Sequence, residues 1–178
     1  LEAAKDAPYR IVIAGSGPTE LELKEHAERL NLRNVVFACF VSDEKKMALF
    51  KLSRATVFPS YMRSEAFGVT LLEGAMSSKP LISTEVGSGT SHINTDSETG
   101  FVVPPGSPKA LRRAMDQLHS RPEMAALMGR KARQRFERLF TGQIMAARYT
   151  NIYSELSGKA LITKDHAGEP TKTLNTRK

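Results

Sequence analysis

Short continuous apolar runs alternate with stretches whose apolar residues recur at helical intervals along the first hundred positions. Arg10-Ile11-Val12-Ile13-Ala14 reads as a buried strand ending at Gly15-Ser16-Gly17-Pro18. A helix follows, with Pro18 in its first turn, a capping-box spacing between Thr19 and Glu22, and Leu23, Ala27 and Leu30 on one face. The unit then recurs. Residues 35–41 form an apolar run, which predicts a strand covered on both faces. Ser42 is placed to cap the next helix, with Asp43 and Glu44 in its first turn. Residues 55–58 predict a third strand and 68–77 a third helix. Residues 80–83 predict a fourth strand, followed by Gly87-Ser88-Gly89, and 100–103 a fifth, closed by Pro104-Pro105-Gly106. From Ser107 the pattern turns helical over 107–119, 122–140 and 142–156, the last with Ile152, Tyr153 and Leu156 on an apolar face. Residues 1–8 carry no pattern.

Strands alternating with helices imply βα units, right-handed crossovers and a parallel sheet. The fold class expected is α/β, a Rossmann-like three-layer α/β/α domain. Residues 1–157 are read as that domain. Residues 158–178 change to Lys, Thr, Asp, Gly and Pro without periodicity and are read as a disordered tail. Ligands of such sheets bind outside the carboxyl ends of the strands. The loops at 15–17, 59–68 and 87–91 all follow strands, so they are expected along that one edge.

Composition narrows the class. With 178 residues, 40% hydrophobic and 25% charged, the chain has the profile of a soluble globular protein. It has no apolar run near the ~20 residues that span a bilayer and no signal-peptide pattern, so a cytoplasmic location is expected. A lone cysteine, Cys39, excludes an internal disulfide and reads as buried packing. The net charge of +7 favours anionic partners. Arg121, Arg130, Lys131, Arg133, Arg135 and Arg138 concentrate that charge on one helix, read as a solvated face.

The chemistry concentrates in residues 59–76. Glu65 and Glu73 stand eight residues apart, about 12 Å at helical rise. That separation suits a long polar ligand with hydroxyls at both ends. Glu65 precedes a helix start where backbone N–H groups of Phe67, Gly68 and Val69 can meet oxygen atoms. Gly15-Ser16-Gly17-Pro18 has neither the third glycine of a dinucleotide fingerprint nor a P-loop ending, and Phe40 and Val41 stand where a ribose-binding acid would end the second strand. No Asp-x-Asp or His/Cys spacing suits a metal, so none is expected. His26, His92, His119 and His166 are scattered, and only His92 lies beside a candidate loop. A Ser/His/Asp hydrolase has no Gly-x-Ser-x-Gly elbow to support it.

From about residue 10 to 156 the chain resembles the C-terminal, donor-binding half of glycosyltransferase family 4, whose two facing Rossmann-like units make the GT-B fold. The residues that carry the resemblance are Ile13-Ala14-Gly15-Ser16-Gly17-Pro18, Val41-Ser42-Asp43-Glu44-Lys45, Phe58-Pro59-Ser60 and the Glu-x7-Glu of Glu65 and Glu73. Lys79-Pro80-Leu81-Ile82-Ser83 and Glu98-Thr99-Gly100-Phe101-Val102-Val103-Pro104 complete the series.

The resemblance implies transfer of a sugar from a UDP- or GDP-sugar with retention of configuration, with no cofactor and no metal. It implies that Glu65, assigned as catalytic, holds the donor hexose together with the backbone of Phe67, Gly68 and Val69. It places Glu73 on the ribose and Gly15 and Gly17 beside the nucleotide. The partner is an N-terminal acceptor domain, with peripheral membrane association and no nucleic acid. Phosphate-neutralising Arg and Lys are expected upstream of the first strand, so this chain alone is expected to be inactive. The family's Gly-Gly-x-x-Glu is replaced by Gly87-Ser88-Gly89-Thr90-Ser91-His92-Ile93, and Cys39 stands at a common glycine. The Gly-Thr-Ser variant looks like enzymes of bacterial surface polysaccharide synthesis, often with mannose. The alternatives are a sugar-nucleotide epimerase of the same architecture and a nucleic-acid-binding module resting on the 121–138 cations.

Overall fold

The computed structural model describes residues 1–157. In it β1 (Ile11–Ala14) and β2 (Val35–Cys39) pair in parallel, Ile11 beside Val35, with an irregularity between Ile13 and Ala14. A second parallel sheet has the order β3 (Thr56–Phe58), β4 (Leu81–Thr84), β5 (Gly100–Val103). Helices α1 (Glu20–Arg29), α2 (Asp43–Leu52), α3 (Val69–Met76) and α4 (Thr90–Ile93) connect successive strands. The arrangement is the expected Rossmann-like α/β class, but the sheet is in two pieces. Among the described residues no strand pairing joins the two sheets.

β4 is the central strand, and all four of its residues are buried. Ile82 packs with Val103, with Ala114, Met115 and Leu118 of α5 (Pro108–Ser120), and with Ala125 and Met128 of α6 (Pro122–Leu139). Leu71, Ala75, Leu81, Ile93 and Ala132 form a second cluster beside it. Burial of the Leu, Ile, Val and Met side chains here, each stabilising by about 1.5–3 kcal/mol, outweighs local propensity in holding strands this short.

The unpatterned N-terminus has structure. A 3-10 turn at Glu2–Ala4 buries Ala3 and Ala4, and Ala7 is buried after it. The Asn34 amide donates to the carbonyls of Ala4 (2.9 Å) and Ala7 (3.1 Å), fastening this segment to the start of β2. Alanines without periodicity carry too little hydrophobic contrast to predict this.

Three local expectations need correction. Thr19 stands at the N-cap of α1 but its side chain makes no capping bond, so the box with Glu22 does not form. Ser42 does cap α2, accepting from Lys45 N–H. Residues 35–41 end as a strand at Cys39, and Val36 is 44% exposed, because β2 is an edge strand with one covered face. Cys39 is half-buried with a positive φ of 52°, a turn position rather than core packing.

Residues from Thr141 onward form a second unit, of which α7 (Gly142–Ser157) is described, with Tyr149 and Tyr153 stacked on it. The tail expected over 158–178 lies outside the described residues.

Candidate functional site

The loops after β3 and β4 are tied together at the carboxyl edge of their sheet. The Thr84 hydroxyl donates to the Ser60 carbonyl, and Gly89 N–H donates to the Ala66 carbonyl at 2.9 Å. A Cβ at Gly89 would sit 2.7 Å from that carbonyl oxygen and 2.8 Å from the Phe67 ring, so only glycine permits the approach. Glu85, just past β4, accepts from Gly87 N–H (3.0 Å) and from the Ser91 hydroxyl (2.9 Å). The loop therefore does contain an acid, placed ahead of the glycines, and it holds the loop's shape.

Glu65 is joined to the helix that follows it. Gly68 N–H donates to Glu65 Oε1 at 3.1 Å, and Gly68 adopts a φ of +83° as the N-cap of α3. A side chain there would be strained and would meet Leu71 and Thr90 at 3.2 Å. The helix opens without a side-chain cap, so no capping side chain meets its first-turn N–H groups. A carboxylate beside them is electrostatically favoured. Phe67 and Val69 are exposed flanking Gly68, at 39% and 64%.

Glu73 lies further along α3 and is drawn to a different helix. Lys46 Nζ of α2 contacts Glu73 Oε1 at 2.7 Å and Asp43 Oδ1 at 3.0 Å. The Lys46 ammonium is pushed above its usual range by its hydrogen bond to Glu73 and then by Asp43. The Glu73 side chain is 23% exposed, which leaves its second oxygen able to accept. Sequence reading missed Lys46. The Ser42 cap and the Asp43–Lys46 spacing place Lys46 on α2, but nothing local points it at Glu73.

Gly15 and Gly17 stand at the carboxyl edge of the β1–β2 sheet, both exposed. Gly15 N–H donates to the Cys39 carbonyl at 2.8 Å. The Cys39 thiol donates to Glu20 Oε1 at 3.0 Å, and Lys24 Nζ meets the same carboxylate at 2.6 Å. Lys24, then Cys39, hold the Glu20 carboxyl below its ordinary range. Both glycines thus lie beside a small polar cluster at the end of β2. Glu65, Phe67, Gly68, Val69 and Glu73 share one loop and helix on the other sheet.

The remaining candidates have structural partners. His92 is exposed and meets the Phe140 ring edge-on at 5.5 Å. The basic stretch of α6 is only partly a solvated face. The Arg135 guanidinium donates to the carbonyls of His92 (2.7 Å) and Ile93 (3.2 Å), and Arg133 donates to the Met76 carbonyl. These bonds cap the ends of α3 and α4, whereas Arg121, Arg130, Lys131 and Arg138 are exposed. Among the described residues no three His, Cys, Asp or Glu side chains gather as metal ligands, and no helix is long and apolar enough to cross a membrane.

Residues 1–135 match the family model "Glycosyl transferases group 1". The chain is 54% identical over 141 residues to the D-rhamnosyltransferase WbpZ of Pseudomonas aeruginosa, covering 79% of this chain and 37% of that protein. It is 47% identical over 156 residues to the O-antigen chain mannosyltransferase C of Escherichia coli, covering 88% and 42%. The structure of sucrose-phosphate synthase from Thermosynechococcus elongatus superposes with a TM-score of 0.79 at 25% identity, over 88% of this chain and 41% of that one. The chain thus spans about two-fifths of the length of each of these proteins. Its fold, its edge loops and these likenesses agree: the chain belongs to the group 1 glycosyl transferases, as a Rossmann-like domain of GT-B architecture.

Proposed function

We propose that this chain is the donor-binding half of a retaining glycosyltransferase that uses a nucleotide sugar to build bacterial surface polysaccharide. Glu65, as the catalytic-edge carboxylate, and the N–H groups from Phe67 to Val69 receive the hexose. Glu73 receives the ribose hydroxyls, and Gly15 and Gly17 lie along the nucleotide. The reaction breaks the bond between the anomeric carbon and the diphosphate oxygen and forms one to an acceptor hydroxyl, whose proton leaves as the nucleoside diphosphate departs. Stabilising that departing diphosphate is the electrostatic step of greatest weight.

The observation that carries the reading is the placement of the two glutamates. Glu65 is clasped by Gly68 N–H where α3 begins, and Glu73 is braced by Lys46 further along the same helix. One carboxylate in the loop that enters α3 and another on the helix itself suit hydroxyls at opposite ends of one ligand.

The relatives narrow the donor. Their names give D-rhamnose and mannose, and D-rhamnose is 6-deoxy-mannose, so one ring configuration serves both. This supports a manno-configured donor for this chain. An acceptor-binding domain and the phosphate-neutralising Arg and Lys come from residues preceding Leu1. The break between the β1–β2 and β3–β4–β5 sheets supports a strand supplied from that same segment. The enzyme works without a metal, in the cytoplasm at the inner membrane face. This chain alone binds the nucleotide weakly and does not turn over.

The test is product analysis of the full-length protein with GDP-mannose and UDP-glucose as donors. A lengthened glycan supports the reading. Free epimerised sugar nucleotide would replace it with an epimerase.

A further inference from the structure

The opposite, amino-terminal edge of the β3–β4–β5 sheet carries a cavity of about 600 Å3. It is lined by the turns entering β3 and β4 and by the start of α6. Arg54, Lys79, His119 and Arg130 contribute to its wall, and no carboxylate does. We propose that this cavity is a second ligand site, for a phosphate-bearing anion, formed by Arg54, Lys79 and Arg130.

Two observations support it. None of these cations has a carboxylate partner within salt-bridge distance among the described residues, whereas Lys24, Lys46, Arg112 and Arg133 all do. Lys79 is held in place, its ammonium donating to the Lys51 carbonyl at 2.7 Å. Converging cations in a concave wall concentrate an anion more effectively than scattered surface charge. Burial, and next the Arg54 guanidinium, lower the proton affinity of Lys79, a conflict that a bound anion relieves.

The site is distinct from the donor edge. β4 runs from Leu81 to Thr84, so at least ~10 Å of strand separates Lys79 from Glu85. The volume suits a sugar phosphate or the head group of a phospholipid rather than a larger polymer. Both sources present the same phosphate chemistry, and different probes separate them.

The experiment uses the full-length protein with its donor site saturated by nucleoside diphosphate. Inorganic pyrophosphate is titrated by calorimetry, and sedimentation is measured with phosphatidylcholine vesicles with and without phosphatidylglycerol. Saturable pyrophosphate binding that falls about tenfold or more in Arg54→Gln/Arg130→Gln assigns a soluble ligand. Sedimentation that needs phosphatidylglycerol and is lost in the same variant assigns the lipid. Keeping Lys79 in that variant preserves its bond to Lys51, so the fold is not at issue. Binding that is unchanged in the variant, or absence of both pyrophosphate and phosphatidylglycerol binding from the parent protein, overturns the proposal. Nucleoside diphosphate affinity is expected to stay the same in the variant, which separates this outcome from failure of the donor-site reading.

Discussion

Lys46 of α2 meets Glu73 of α3 at 2.7 Å, joining the helix after one sheet to the helix after the other. The pair holds one carboxylate oxygen of Glu73 and leaves the other able to accept a hydrogen bond. Lys46→Met is therefore expected to weaken nucleoside diphosphate binding by about three- to tenfold, with Lys46→Arg restoring most of it. Calorimetric titration checks this. Equal affinity in Lys46→Met would remove the positioning role.

The two glutamates should differ in a nucleotide titration. Glu73→Ala is expected to weaken nucleoside diphosphate binding about tenfold or more, a loss of about 1.4 kcal/mol. Glu65→Ala should have a smaller effect on the diphosphate and a larger one on the intact sugar donor. The reverse order would overturn the assignment of hexose to Glu65 and ribose to Glu73.

Gly89→Ala tests the junction of the two edge loops. The added methyl would press on the Ala66 carbonyl and the Phe67 ring. Crowding of this kind costs about 1–3 kcal/mol and should shift the loops apart. A lower denaturation midpoint together with weaker donor binding is the expected outcome. An unchanged donor affinity would show that the loop junction does not shape the site.

Asn94 is a buried polar clasp. Its amide donates to Ser83 Oγ (2.9 Å) and the Phe101 carbonyl (3.0 Å), while its own carbonyl accepts from the Thr99 hydroxyl (2.9 Å). Replacement by Leu would strand these partners away from water. Asn94→Leu should destabilise the domain by roughly 2–4 kcal/mol. Urea unfolding measures this, and a change below about 1 kcal/mol would contradict it.

Acid stability should depend on Asp116. Burial alone would raise its carboxyl pKa, but the Tyr9 hydroxyl and the Arg112 guanidinium outweigh it and hold the carboxyl below the usual range. A depressed folded pKa contributes stability above the unfolded value, about 3.9, and loses it as pH falls through the folded one. Asp116→Asn should flatten the decline in stability below about pH 4. Because the Asp116 side chain is 46% exposed, the effect should be small and should shrink with added salt. Melting temperatures across pH 2–6 would reveal an unaltered acid limb if the network contributes nothing.

The βα alternation was legible because buried parallel strands must be apolar and their helices amphipathic. Five strands and the long helices followed from that pattern. The Glu-x7-Glu spacing was equally legible, since both residues lie on one local segment. Lys46 was not, because its partner comes from a different βα unit and no local periodicity encodes a contact between helices.

The order of elements, the Ser42 cap and the loop-helix segment that carries Glu65, Gly68 and Glu73 could be read from local backbone chemistry and hydrophobic period. Tertiary structure alone decided that the sheet stands in two pieces and that Val36 is uncovered. It alone gave Cys39 a left-handed turn, and set Arg133 and Arg135 on helix ends instead of in water. Those outcomes depend on which surfaces meet across long separations in the chain, where packing and hydrogen-bond satisfaction outweigh any local preference.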